Sequence, residues 1–185
     1  MIHCLFFQRQ RLMRNLLLGI IIGLVIPMIT SAQDETKEST GDFGIGLGID
    51  YGGIGGRFAF RPSPKAMLFA GLGYNLNEVG YNVGAAWRLA PGKRTVPYLG
   101  AMYGYNAVVV VDNQSQPSYT FNGPSFTFGL EFHSRKNASN YFNLEILLPL
   151  RSNDFHNYVK VLKMIGYSVT EPWPIGFSLG YHWGF

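Results

Sequence analysis

The sequence predicts an all-β fold: a single transmembrane, antiparallel, up-and-down β-barrel of eight strands, preceded by a cleaved signal peptide. Three observations predict it. Large apolar residues recur with a period of two in eight separate segments, the face opposite them is dominated by glycine, and an arginine-led apolar run stands at the N-terminus.

The N-terminal run comes first. Arg9, Arg11 and Arg14 precede apolar residues from Leu16 to Ile29, and Thr30-Ser31-Ala32 supplies the small side chains a signal peptidase requires. Residues 1–32 are therefore expected to be removed before Gln33. A permanent anchor is disfavoured because the run is short for a membrane span and is broken by Pro27. Cys4 leaves with this segment, so the mature chain has no disulfide framework and no thiol chemistry. Three of the 15 basic residues also leave, and 12 remain against 11 acidic ones, a net charge of +1. That near-neutrality excludes a nucleic-acid binder of the kind that presents a concentrated basic face.

Residues 33–41 are polar, charged and aperiodic, and read as a flexible periplasmic lead-in; residues 42–185 form the barrel. In the first strand Phe43, Ile45, Leu47, Ile49 and Tyr51 alternate with Gly44, Gly46, Gly48 and Asp50. Phe58 and Phe60 then alternate with Arg57, Ala59 and Arg61, and Leu68, Ala70, Leu72 and Tyr74 with Phe69, Gly71, Gly73 and Asn75. The fourth strand sets Val79, Tyr81, Val83, Ala85, Trp87 and Leu89 against Gly80, Asn82, Gly84, Ala86 and Arg88. The fifth, over 95–108, is apolar on both parities, and Leu99, Ala101, Tyr103 and Tyr105 are expected outward. Phe126, Phe128, Leu130 and Phe132 oppose Thr127, Gly129 and Glu131, and Phe142, Leu144, Ile146 and Leu148 oppose Asn143 and Glu145. The eighth strand alternates Ile175, Phe177, Leu179, Tyr181, Trp183 and Phe185 with Gly176, Ser178, Gly180, His182 and Gly184.

A soluble barrel hydrates its outer face with Lys, Glu and Thr. Here the face opposite the apolar one is glycine-rich, which suits a narrow lumen, so the greasy face is expected to meet lipid. The connections agree with that threading. Short turns at 62–65, 90–93 and 133–140 fall on the periplasmic side, while the opposite side receives tight turns near Gly52-Gly53 and Asn77 and long loops over 107–122 and 151–173. Trp87 and Trp183 would form one aromatic girdle and Tyr51, Tyr74, Tyr81 and Tyr105 the other.

With these residues in place, the sequence resembles the small eight-stranded bacterial outer-membrane β-barrel proteins, OmpA/OmpX-like in the broad sense, over residues 42–185. The sharpest element is the terminal strand, where Tyr181, Trp183 and Phe185 are similar to the C-terminal aromatic signal read by the outer-membrane assembly machinery. The resemblance implies location in the cell outer membrane and a route of assembly. It implies no activity, because function lives in sites grafted onto folds.

Six ionisable residues fall on the inward face: Arg57, Arg61, Arg88, Glu131, Glu145 and His182. Confined opposite charges pair, because an unpaired buried ion is far costlier than a paired one. A salt-bridged plug is the expected role; a gated pore for small ions or solutes is the alternative. In the last long loop Asp154 is placed to cap a short helix, with Phe155, Tyr158 or Val159, Leu162 and Ile165 as its apolar stripe, Lys160 and Lys163 elsewhere, and Gly166 as its stop. Such a helix either packs over the barrel mouth or rests on lipopolysaccharide phosphates. Catalysis is not expected. Ser152, Asp154 and His156 are loop neighbours without a positioned base, and His133-Ser134 lies in a turn with no carboxylate beside it. No histidine spacing suits a metal, no cofactor is implied, and glycine pairs such as Gly44 and Gly46 belong to a strand face and do not form a phosphate loop.

The functional expectation is thus a non-enzymatic, monomeric outer-membrane barrel with a structural or surface-interaction role. Its partners would be outer-membrane lipid, lipopolysaccharide and the assembly machinery. The rival from another class is a secreted lipocalin-like carrier, which requires an apolar interior and a polar exterior.

Overall fold

The computed structural model describes residues 39–109, 119–167, 169 and 172–185. The expected signal segment, its cleavage site and residues 33–38 lie outside the described residues. The strands are β1 (Gly41–Gly48), β2 (Gly53–Ser63), β3 (Ala66–Tyr74), β4 (Val79–Arg88), β5 (Thr95–Val109), β6 (Tyr119–His133), β7 (Tyr141–Pro149) and β8 (Gly176–Gly184), with one helix, α1 (Asn153–Met164), between β7 and β8. Each strand pairs antiparallel with the next, and β1 closes onto β8 from Asp42↔Gly184 to Leu47↔Leu179. Closure leaves no free sheet edge along the barrel wall.

The alternation lands as the sequence requires. Phe43, Ile45 and Leu47 of β1, Leu68 and Leu72 of β3, Tyr81 and Trp87 of β4, and Phe177 and Leu179 of β8 all point outward and are exposed. The interior holds Arg57, Arg88, Glu131 and Glu145. This polarity is the reverse of a lipocalin-like carrier. An apolar exterior that continues around a closed barrel is far larger than the patches soluble monomers tolerate.

The end carrying Ser39 and Phe185 is the near end, and the other the far end. At the near end the connections are short: β2 to β3 through Pro64 and Lys65, β4 to β5 through 89–94, and β6 to β7 through 134–140. The lead-in does not stay clear of the barrel throughout. Gly41 already pairs with Phe60, and Ser39 and Thr40 accept hydrogen bonds from the side chain and backbone of Arg61 at 3.3 and 2.8 Å.

At the far end three expectations change. Tyr51 is not an outward strand residue. β1 stops at Gly48, whose φ of 143° only glycine adopts freely, and Ile49–Tyr51 form a single 3-10 turn directed into the lumen before the chain reverses at Gly52 (φ 71°). Second, the 107–122 loop is largely strand. β4 and β5 part above Asn82↔Gly104, and β6 and β7 above Ser125↔Pro149, yet β5 and β6 stay paired to Val109↔Tyr119. Leu99, Ala101 and Tyr103 are outward and exposed, whereas Tyr105, next to a bulge before Ala107 that shifts the parity, is half-buried. Residues 110–118 lie outside the described residues.

Third, α1 is capped by Ser152, whose hydroxyl accepts from the Phe155 backbone N–H at 3.3 Å; Asp154 sits inside the first turn, where its charge complements the helix dipole. Phe155, Val159 and Leu162 are buried against Ala107 and Val109 of the extended hairpin. Ile165 does not continue that stripe. The helix ends there, Gly166 takes φ 92°, the Tyr167 N–H bonds back to the Leu162 carbonyl at 3.0 Å, and Tyr167 and Val169 pack on the cluster instead.

Candidate functional site

The lumen gathers buried ionisable side chains from several strands and is filled in three levels. Its shape is set by glycine. A side chain at Gly71 would meet the Asp50 carbonyl at 1.9 Å, one at Gly73 the Tyr51 carbonyl at 2.4 Å, and one at Gly80 the Gly52 carbonyl at 2.4 Å. These inward glycines of β3 and β4 are the socket for the 49–52 turn. Gly46 and Gly180 make room for the Tyr51 ring, Gly44 for His182, and Gly129 for Tyr98. Large and small residues thus complement each other across a bore too narrow for two large ones.

At the far level, Asp50 accepts from Arg57 Nη1 at 2.6 Å and from the Ser178 hydroxyl, and the Arg57 guanidinium lies 5.2 Å from the rings of both Tyr51 and Phe69. The middle level centres on Glu145. It accepts from Arg57 and from the Tyr98 hydroxyl, from the Thr127 hydroxyl at 2.7 Å and from the Asn143 amide at 3.0 Å. Below it, the Tyr51 hydroxyl donates to Asn143 Oδ1 at 2.7 Å and lies 2.6 Å from His182 Nε2. His182 Nδ1 is in turn 2.6 Å from Asp42 Oδ1, which also accepts from the Tyr141 hydroxyl at 3.0 Å. The near level holds two more ion pairs, Arg61 with Asp42 at 2.7 Å and Arg88 with Glu131 at 2.8 Å. His133 Nε2 lies 3.1 Å from the same Glu131 oxygen.

All six ionisable residues singled out from the sequence are buried, and each has at least one polar partner. Sequence reasoning missed the partners that complete the set: Asp42, Asp50, His133, Tyr51, Tyr98 and Tyr141. His133 corrects an expectation outright. It is the last residue of β6, faces inward, and has a carboxylate beside it. Strand parity reaches most of these, since Asp42 shares the face of Gly44, Tyr141 that of Asn143, and His133 that of Glu131.

Chemically, Tyr51, His182 and Asp42 form a phenol, imidazole and carboxylate in series, an order that could activate a nucleophile in an open cleft. All three are fully buried, so no substrate reaches the phenol from either end. On the surface, Ser152 acts as a helix cap, while His156 is exposed on α1 with its ring against Phe155. Among the described residues no group of three His, Cys, Asp or Glu is placed to hold a metal ion.

The barrel has a solved counterpart. It is similar to the crystal structure of the N-terminal β-barrel domain of Pseudomonas aeruginosa OprF, with a TM-score of 0.51, 11% identity, 79% of this chain covered and 98% of that one. The likeness carries the fold alone: a small, closed, eight-stranded antiparallel barrel. No family model matches the chain, and no curated protein matches it.

The remaining predicted residues take these positions. Tyr181 and Trp183 face outward on β8 and contact each other edge to face at 5.0 Å, and the Phe185 ring lies 6.1 Å from Phe58. On α1, Phe155 and Leu162 are buried, and Tyr158 packs on Tyr119 of the hairpin at 5.0 Å. Lys160 and Lys163 are exposed.

Proposed function

We propose that the chain is a non-enzymatic, non-conducting barrel of the cell outer membrane, with a structural or surface-interaction role. The observation that carries the reading is the sealed lumen: Tyr51 descends from the far end, and Arg57, Tyr98, Glu145, Arg88 and Glu131 fill the bore beneath it, each at most 1% exposed. A pore needs a continuous polar path, and here every level is occupied by paired side chains. The outward apolar belt, bounded by Trp87 and Trp183 at one end and Tyr74 and Tyr81 at the other, supports a membrane-spanning orientation. In this reading the near end is periplasmic, and the β5–β6 hairpin with α1 stands above the outer surface as the contact region.

Lipopolysaccharide and outer-membrane lipid are the partners this orientation supplies, and the outward Tyr181, Trp183 and Phe185 are the residues the assembly machinery would read. The test is electrical. Purified protein added to a planar bilayer is expected to insert without discrete conductance steps. A variant with Tyr51 and Arg57 both changed to Ala is expected to conduct. Steps of uniform size from the unaltered protein would overturn the closed-lumen reading and favour the pore.

A further inference from the structure

The mature chain is nearly neutral, yet its exposed charge is not evenly placed. The three near-end turns bring together Lys65, Lys93, Arg94, Arg135 and Lys136, and contain no carboxylate side chain. Four of the five are exposed and Lys93 is half-buried. The acids at that end, Asp42 and Glu131, are buried inside the bore against Arg61 and Arg88. The far end is mixed: among its described residues Glu78 and Asp154 accompany Arg151, Lys160 and Lys163.

These cations are anchored at a definite height. The Lys65 carbonyl accepts from Arg88 N at 2.7 Å, next to the Ala66↔Trp87 pair, and the Arg94 carbonyl accepts from His133 N at 2.8 Å, next to Thr95↔Phe132. Two of the cations therefore begin one residue beyond the strand pairs that carry the outward aromatics Trp87 and Phe132. Aromatic side chains at a membrane interface mark the headgroup level, and long basic side chains just beyond them reach phosphate.

We propose that the near-end turns form a basic collar that binds the headgroups of anionic phospholipid in the leaflet they face. The proposal rests on the membrane-spanning reading above. Its attraction is electrostatic and weakens with salt.

The protein carries its own reporters. Trp87 and Trp183 lie on the outer face near the collar, and the remaining tryptophan, Trp173, is exposed at the far end. In the full chain with Trp173→Phe, reconstituted in phosphatidylcholine vesicles, tryptophan quenching by brominated phosphatidylglycerol is compared with quenching by brominated phosphatidylcholine. At low salt the anionic lipid is expected to bind with on the order of five-fold higher relative affinity, the worth of one basic contact near the surface. High salt or the combined change of Lys65, Lys93, Arg94, Arg135 and Lys136 to Gln should remove the preference. The smaller Arg135→Gln, Lys136→Gln variant should reduce it, should the fivefold variant not fold.

Equal quenching by the two lipids overturns the collar. So does a preference that survives the substitutions, or one that appears only after Asp34→Asn, Glu35→Gln and Glu38→Gln, which would give the collar to the chain's own acidic lead-in. A heat-sensitive gel shift is measured on each variant. Shift retained with no preference rejects the collar alone, whereas loss of the shift in the unaltered chain rejects the membrane barrel itself.

Discussion

The Tyr51 hydroxyl lies 2.6 Å from His182 Nε2, although the two residues are 131 positions apart and belong to opposite ends of the chain. The contact ties the far-end turn to the closing strand and makes the turn part of the core. Tyr51→Phe removes the hydroxyl and leaves Asn143 Oδ1 and the imidazole without that partner. Leaving buried polar groups unsatisfied costs about 1–3 kcal/mol. The expected result is a lower urea midpoint for unfolding from lipid vesicles, read by tryptophan emission; an unchanged midpoint would show that the contact contributes nothing.

The socket glycines make a second prediction. Gly71→Ala places a methyl group against the Asp50 carbonyl, which is backbone and cannot swing away, whereas Gly56→Ala on the outer face meets the far edge of the Phe43 ring at 3.0 Å and backbone no closer than the Gly44 carbonyl at 3.6 Å. Overpacking of a filled interior costs about 1–3 kcal/mol. Gly71→Ala is expected to destabilise by that amount in the same unfolding assay and Gly56→Ala to stay near the parent; equal effects would mean the turn does not occupy the socket.

Arg88 and Glu131 form a buried pair with 0% exposure on both side chains. Glu131→Gln removes the carboxylate charge that pairs with the guanidinium, and breaking a buried pair in this way costs about 3–5 kcal/mol. Replacing both at once, Arg88→Met with Glu131→Leu, should recover most of the loss. A double variant as weak as the single would show that shape, and not charge pairing, dominates at this level.

Phe155 is buried where α1 meets the hairpin, 5.4 Å from the Phe121 ring and edge-on to it. Phe155→Ala removes the contact and typically forfeits about 3–5 kcal/mol of packing. Since α1 sits beyond the rim, the effect should be local: faster tryptic cleavage at Lys160 and Lys163 in vesicle-bound protein, with the barrel still resistant. Rapid cleavage of the unaltered protein at those lysines would remove the ordered helix from the account.

The strands were legible because period two survives every tertiary choice in a barrel whose outside is uniformly apolar. Phe43 to Leu47 and Phe177 to Trp183 could face only one way. Tyr51 was not legible by the same rule, because Ile49 and Tyr51 extend the alternation of β1 without a break. What turns them inward is non-local: the space left at Gly71, Gly73 and Gly80 in other strands, together with Gly48 and Gly52 at the hinge. Asp42, Tyr141 and His133 were lost at strand ends, where boundaries drift by a residue or two and an inward side chain is taken for a turn. The choice of Ser152 over Asp154 as cap is of the same kind.

The most direct test of the central claim is electrophoretic mobility of the purified protein in detergent, with and without boiling. A closed barrel that holds its strands in SDS runs as a compact band before boiling and shifts to the unfolded position afterwards, and that shift is the predicted result. No shift, together with a protein that stays soluble and monomeric when detergent is withdrawn, would contradict a membrane-spanning barrel.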